Sequence, residues 1–254
     1  MHSEIHALGK TGQWPVTLFV QCLVDGFQPE VGEAVVRILE ALGTRVDYPA
    51  NQTCCGQPAF NAGYRKAARK AARHFIGVFE ASRWIVCPSG SCVHMIRRHY
   101  PLLFEREPAW RQRAEAVAKK TFEFSEFLVD VLGVEDLGAR YDGRITYHDS
   151  CHLLRGIGVG EQPRRLLRRI RGAEFVEMPE SDRCCGFGGA FSVKYPEIST
   201  AMVADKVDCI VASGADLVVG CDLGCLMNIQ GMLQRKGLGI KAMHIAQLLA
   251  EGME

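Results

Sequence analysis

The amino-acid sequence predicts an α/β protein built as two tandem, pseudo-symmetric Rossmann-like units, each a parallel sheet flanked by helices. Three observations predict it. A cysteine-centred block recurs about half a chain later, short β-branched or aromatic runs alternate with helical patterns, and 254 residues is one or two domains at roughly 150 residues each. With 48% hydrophobic and 23% charged residues the composition is that of an ordinary globular chain, which argues against disorder, collagen and coiled coil. A formal net charge of +1, from 30 basic and 29 acidic residues, gives no general attraction to nucleic acid or to an anionic membrane surface.

In the first half, VTLFV from Val16 reads as the opening strand. Val31, Val35, Ile38, Leu39 and Leu42 then share one helical face, with Pro29 ahead and Gly43 behind as start and stop signals. TRVDYP from Thr44 is the second strand, Tyr64 to Glu80 a longer helix, and RWIV from Arg83 the third strand. The second half repeats the scheme. RITYH, AEFVEMP and DLVVG are its strands, and Pro196 to Ser213 is its longer helix, opening on a proline. Strand and helix in alternation imply a parallel sheet covered on both faces.

The repeat is also explicit in the residues. PANQTCCGQPAF from Pro49 returns as PESDRCCGFGGAF from Pro179, with Cys54 and Cys55 matching Cys184 and Cys185 at an offset of 130. Cys22 matches Cys151, and the pair Cys87 and Cys92 in CPSGSC answers Cys221 and Cys225 in CDLGC. The tails agree as well, SEFLVDVLG with HIAQLLAEG. The expected units are residues 1–138 and 139–254, joined near Gly133 to Arg144.

Eleven cysteines form the most informative feature of the composition. An odd count, a large chain and two adjacent pairs argue against a disulfide scaffold. The best apolar stretch near the start, Val16 to Val24, is broken by Gln21 and lacks a cleavage pattern, and no run approaches the ~18 apolar residues of a membrane span. The expected setting is therefore a reducing cytoplasm, where many cysteines point to metal or redox chemistry.

On the predicted skeleton Cys22 follows the first strand, Cys54-Cys55 the second, and Cys87 with Cys92 the third. All five fall at the carboxyl ends of parallel strands, where such sheets bind ligands. Cys151, Cys184, Cys185, Cys221 and Cys225 do the same in the second unit. Five converging thiolates repel one another, and five free thiols oxidise readily, so a metal resolves the conflict. Zinc is satisfied by four ligands in two short knuckles; five sulfurs around an adjacent pair suit a multinuclear iron–sulfur cluster better. Gly56, Gly186, Gly188 and Gly189 are expected cofactor-binding positions, since glycine lets backbone amides approach sulfur, although ordinary turn chemistry also uses glycine there. Cys92 and Cys225 each stand at the start of a helical run, VHMIRRHY and LMNIQGML, where the dipole favours thiolate.

These residues resemble the cysteine-rich CCG domain family, which includes the CCG-bearing component of heterodisulfide reductase. More narrowly, CPSGSCVHM, YHDSCHLLRGIGV, CCGFGGAFSVKYPEIS and GCDLGCLMNI look like its lactate utilization branch. The resemblance covers nearly the whole chain. It implies a noncubane 4Fe-4S cluster on each five-cysteine set, one or two clusters per chain, facing a shared cavity. It also implies an iron–sulfur subunit of an L-lactate to pyruvate oxidation system that works with a ferredoxin-type iron–sulfur protein and a LUD-domain protein. One departure is visible: the late pairs are spaced CxxxxC at Cys87 and Cys92 and CxxxC at Cys221 and Cys225, where the reductase pattern has CxxC.

Other residues have plainer readings beside functional ones. Cys209 reads as a buried small hydrophobe. His152, next to Cys151, is the candidate catalytic proton donor; His148 is read first as a strand-end hydrogen bonder. His94 and His99 are expected on the surface. Gly156, Gly158 and Gly160 make a poor dinucleotide loop. Arg164, Arg165, Arg168, Arg169 and Arg171 are expected on one solvated helix face, with docking of an acidic partner as the alternative. Neither a ferredoxin-type cysteine run nor a flavin signature is seen, so electrons are expected to leave through a partner. Three alternatives stand beside the lactate reading: a thiol/disulfide oxidoreductase component like that of heterodisulfide reductase, an iron–sulfur subunit for glycolate or another 2-hydroxy acid, and a zinc-stabilised interaction module.

Overall fold

Val16, Thr17 and Leu18 are all buried, as a strand covered on both faces requires, and they form β1 (Val16–Leu18). In the computed structural model, which describes residues 15–253, β1 lies between β2 (Val46–Asp47) and β3 (Trp84–Cys87), and β3 pairs onward with β4 (Thr121–Glu123). All pairings in this order, β2-β1-β3-β4, are parallel. The second unit repeats it with β5 (Arg140–Tyr147), β6 (Arg171–Phe175), β7 (Leu217–Gly220) and β8 (Lys241–His244) in the order β6-β5-β7-β8. The chain divides into two compact units, one ending at Glu135 and the other starting at Asp136. The α/β class and the duplicated organisation are as the sequence predicts.

Helices follow from apolar spacing. After α1 (Cys22–Phe27), α2 (Pro29–Ala41) starts on its proline and buries Val31, Val35, Ile38 and Leu39. Burial of each such side chain contributes about 1.5–3 kcal/mol. A short α3 (Gln57–Asn61) precedes α4 (Arg65–Phe79), which turns Ala68, Ala72, Phe75, Ile76 and Phe79 inward. Beyond β3 run α5 (Gly90–His94), a π-helical turn over Met95–His99, α6 (Tyr100–Leu103) and α7 (Pro108–Lys119). A short α8 (Phe124–Glu126) follows β4. In the second unit come α9 (Glu161–Leu167), α10 (Ala190–Lys194), α11 (Pro196–Ser213), α12 (Leu223–Arg235) and α13 (Ile245–Glu251). Among the described residues no helix is long and apolar enough to cross a membrane.

Several expectations need correction. Each sheet has a fourth strand, because TFE and KAMH pair with β3 and β7 although each is short and carries a charged residue. The second strand of the first unit is only two residues of the expected TRVDYP. The expected AEFVEMP strand starts earlier, at Arg171, because β5 extends back to Arg140 and pairs with it there. His94 and His99 are half-buried, with rings 4.8 Å apart, and His99 stacks on Phe60 at 4.3 Å. Cys209 is half-buried too, packed against the apolar cluster of α11 and α12.

The arginine cluster departs furthest from its expected reading. α9 ends at Leu167, and Arg171 already belongs to β6, so the five arginines do not share one helix face. Arg164 is buried and grips Asp149 with two nitrogens, at 2.9 and 2.6 Å, while its Nε donates to Glu177 at 2.6 Å. The reason is electrostatic: Asp149 leaves β5 into the interior, and a buried carboxylate requires a paired charge. Burial resists ionisation of Asp149, yet the bonds from Arg164 and Ser181 hold its carboxyl below the ordinary range. Removing one partner of such a pair strands the other. Arg164→Met is expected to destabilise the second unit by about 3–5 kcal/mol, and Arg164→Met with Asp149→Asn by clearly less. Urea unfolding of both variants checks this, and equal losses would contradict it.

Candidate metal centre

In a parallel sheet of this order the chain leaves β1 toward one neighbour and β3 toward the other, which opens a crevice at the carboxyl ends of the two strands. The cysteines gather at that switch point. Cys22 opens α1 just past β1, Cys54 and Cys55 lie in the loop between β2 and α3, Cys87 ends β3, and Cys92 lies in the first turn of α5. The second unit places Cys151 after β5, Cys184 and Cys185 between β6 and α10, Cys221 after β7 and Cys225 in the first turn of α12. Among the described residues none of the eleven cysteines is in a disulfide.

Distances show the convergence. Cys22 Sγ lies 3.6 Å from Cys54 Sγ, and Cys55 Sγ 3.3 Å from Cys92 Sγ. In the second unit the Cys151 thiol donates to Cys184, and Cys185 engages Cys225. Non-bonded sulfurs at such spacing approximate the ligand edge of a tetrahedral metal, about 3.8 Å for metal–sulfur bonds of ~2.3 Å. Cys87 and Cys221 are buried at the ends of β3 and β7; Cys87 reaches the Gln21 side chain at 4.0 Å, and Cys221 Sγ accepts from Tyr147 Oη at 3.4 Å.

The backbone holds these sulfurs in place. Gly56 and Gly186 take φ of +83° and +77° and donate their amides to Cys54 and Cys184, each at 3.4 Å. A Cβ at Gly186 would stand 2.6 Å from the Ser199 carbonyl, so no other residue fits that turn. Gly188 and Gly189 form the turn into α10; Ser192 Oγ donates to the Gly189 carbonyl. Tyr100 Oη donates to the Cys55 carbonyl at 2.9 Å, and Asn228 Nδ2 donates to that of Cys185 at 2.7 Å. Ser89 Oγ accepts from Cys92 N–H, while Ser150 Oγ donates to Asp222 at the start of α12. Phe187 packs on Gly224, where a Cβ would meet its ring at 2.5 Å. The glycines are legible in the sequence, whereas Tyr100 and Asn228 are not singled out there.

Charge is unevenly shared among the sulfurs. Donors from Cys22, Cys55 and the Gly56 amide hold the Cys54 thiol at about 3, and donors from Cys151, Cys185 and the Gly186 amide hold Cys184 at about 2. Their donors move the other way: hydrogen bonding to Cys54 pushes Cys22 and Cys55 up, and bonding to Cys184 does so for Cys151 and Cys185. Cys92 is also pushed up, because Cys87 and burial outweigh the bond from Cys55. Cys54 and Cys184 therefore ionise unaided, whereas the thiols that donate to them need a cation to do so. A soft, multiply charged metal group suits this donor set.

Two histidines flank Cys151. His152 is half-buried, with Nδ1 4.0 Å from Cys151 Sγ. His148 is 1% exposed, and burial, with Lys206 adding to it, depresses its imidazole to about 3, so the ring is neutral. An imidazole nitrogen of His148 and the sulfurs of Cys185 and Cys225 lie within 4.8 Å of one another. Neither ring nitrogen makes a well-formed hydrogen bond among the described residues, and the Ser181 backbone engages the ring only weakly.

A family model for the cysteine-rich CCG domain matches residues 16–97 and again residues 145–230. Curated relatives match across nearly the whole chain. Lactate utilization protein A of Bacillus subtilis (strain 168) is 50% identical over 234 residues, 92% of this chain and 98% of the relative. Lactate utilization protein A of Anoxybacillus flavithermus is 52% identical over the same shares, and that of Macrococcus caseolyticus is 51% identical over 94% and 97%. Among solved structures, a hypothetical protein from Helicobacter pylori overlays with a TM-score of 0.68 at 11% identity, with 99% of this chain and 53% of that chain covered. That likeness shows the fold alone.

The uneven charge has a direct test. In metal-free protein at about pH 6, iodoacetamide is expected to alkylate Cys54 and Cys184 ahead of Cys55, Cys92 and Cys185, since only the first two are thiolates there. Peptide mass spectrometry reads the order, and uniform labelling would contradict it.

Proposed function

The chain belongs to the cysteine-rich CCG domain family, in its lactate utilization protein A type, and from that membership we propose that it is the iron–sulfur subunit of a system oxidising L-lactate to pyruvate. The observation that carries this reading is the sulfur set itself, several cysteines brought together without a disulfide at the carboxyl edge of each sheet. In the proposal Cys22, Cys54, Cys55, Cys87 and Cys92 hold a 4Fe-4S-type, noncubane cluster in the first unit. Cys151, Cys184, Cys185, Cys221 and Cys225 hold its counterpart in the second. When bound, such a cluster supplies a carrier for single electrons at a potential tuned by the surrounding hydrogen bonds.

The chain's own residues have defined parts in this reading. The Gly56 and Gly186 amides donate to sulfur and so stabilise negative charge on the ligand set. Tyr100 and Asn228 fix the second cysteine of each adjacent pair through its carbonyl. Lactate releases two electrons and two protons on becoming pyruvate. His152, half-buried beside Cys151, is the proposed holder of a proton at Nδ1. The electrons pass to the proposed companions, a ferredoxin-type iron–sulfur protein and a LUD-domain protein in the cytoplasm.

Anaerobic purification followed by iron and acid-labile sulfide assay tests the reading. A brown protein containing both is expected. Cys55→Ser and Cys185→Ser are each expected to remove most of the iron of their own unit and to stop lactate oxidation reconstituted with the two companions. Full iron retention in both variants, or a colourless zinc protein without sulfide, would overturn the assignment.

A further inference from the structure

We infer that the two units hold chemically unlike sites: in the second, His148 is a nitrogen ligand beside the cysteines, and in the first a phenylalanine stands at the corresponding position. The inference rests on reading the cysteines as metal ligands and concerns the chemistry of one site within that reading.

His148 follows β5 directly, three residues before Cys151, and one of its ring nitrogens lies within 4.8 Å of both Cys185 Sγ and Cys225 Sγ. Those three atoms come from three different segments of the unit, so their meeting is a product of the fold and not of sequence proximity. The ring is buried, and buried polar groups are satisfied as a rule, yet neither nitrogen makes a well-formed hydrogen bond among the described residues, the Ser181 backbone engaging it only weakly. Neighbouring groups are already committed. Lys206 Nζ donates to the carbonyls of Glu180 and Ser181, at 3.1 and 2.8 Å, and the Ser181 carbonyl also accepts from Asp149 N–H. A buried, weakly bonded imidazole facing two thiols is arranged as a ligand is.

Comparison of the repeats isolates the feature. The offset of 129 that relates Cys22 to Cys151 places Phe19 opposite His148. Gly56 backs onto Ala68 and Ala71 while Gly186 backs onto Ser199 and Met202, which aligns α4 with α11 at an offset of 131 and places Phe75 opposite Lys206. In the first unit Phe19 and Phe75 form an edge-to-face pair 4.9 Å apart. The second unit therefore replaces an aromatic pair with an imidazole and a buried ammonium. Packing alone does not call for this exchange, since phenyl rings fill the same place in the first unit. Where imidazole takes the place of a thiolate on iron the potential rises. The second site is accordingly the more readily reduced of the two, and electrons delivered to the chain settle there.

Pulsed electron paramagnetic resonance on the reduced, iron-loaded full chain tests this, with the protein grown on 15N-histidine. A strong histidine-nitrogen coupling, of the size found for imidazole bound directly to iron, is expected. It should vanish in His148→Phe, which installs the residue of the first unit, and in His148→Gln, which stays polar if the phenyl ring disturbs folding. Both variants should keep the iron of the first unit and lower the higher of the two midpoint potentials. An iron-loaded chain without that coupling, or one whose coupling survives both substitutions, overturns the inference and leaves the iron–sulfur reading standing. A chain that binds no iron overturns both.

Discussion

Thiols crowded together without covalent bonding, 3.3 to 3.6 Å apart in the first unit and hydrogen-bonded to one another in the second, are the constraint around which each unit is arranged. The sulfurs cannot all be thiolates, because several negative charges in a half-buried crevice repel strongly. They cannot all be well-satisfied thiols either, since sulfur is a weak donor and acceptor. The compromise in this chain is one strongly stabilised thiolate in each set, Cys54 or Cys184, surrounded by two neighbouring thiols and a glycine amide. That arrangement leaves an appetite for positive charge. Strand order, loop length and the two left-handed glycines all serve to keep the appetite in place, because relaxation of any loop would let the sulfurs part.

The two units meet this constraint with the same backbone and different side chains. Tyr100 in one and Asn228 in the other reach the carbonyl of the second paired cysteine, a phenol and an amide performing the same bond. Ser89 caps the helix bearing Cys92 directly, while in the second unit Asp222 holds that place with Ser150 bonded to it. A duplicated fold thus conserves the position of sulfur while leaving its electrostatic surroundings open to divergence.

Much of this was legible in the sequence, for a physical reason. Cysteine spacing survives as a signal because ligands in loops must stand at fixed offsets from strand ends, and the strands themselves are short apolar runs. What escaped depends on tertiary burial. β4 and β8 have too few apolar residues to declare themselves, and become strands only because β3 and β7 offer an open edge. Arg164 sits among other arginines in the sequence and looks solvated; its true environment is fixed by Asp149, fifteen residues away, whose carboxylate turns inward. His148 reads as a polar residue at a strand end until the loop carrying Cys185 and the helix carrying Cys225 close over it.

The loops that present the paired cysteines are clamped by opposite means, and the contrast follows from what lies beneath them. In the first unit Gln52, two residues before Cys54, bridges back to β1, its Oε1 accepting from Val20 N–H at 2.8 Å and its Nε2 donating to the Leu18 carbonyl at 3.4 Å. A neutral amide is sufficient there, since the floor is the Phe19–Phe75 pair and no charge needs compensation. In the second unit Ser181 takes over the bridge: its Oγ donates to Asp149 at 2.8 Å, its carbonyl accepts from Asp149 N–H and from Lys206, and Arg164 closes the circuit on Asp149. Once a lysine and a histidine occupy the floor, an isolated ammonium in the interior would be unstable, so carbonyls must turn toward it and a carboxylate must stand nearby. The ionic clamp around Asp149 and the polar floor beneath Cys185 are therefore one structural solution, which makes the loop of the second unit dependent on buried charge where that of the first depends on aromatic packing.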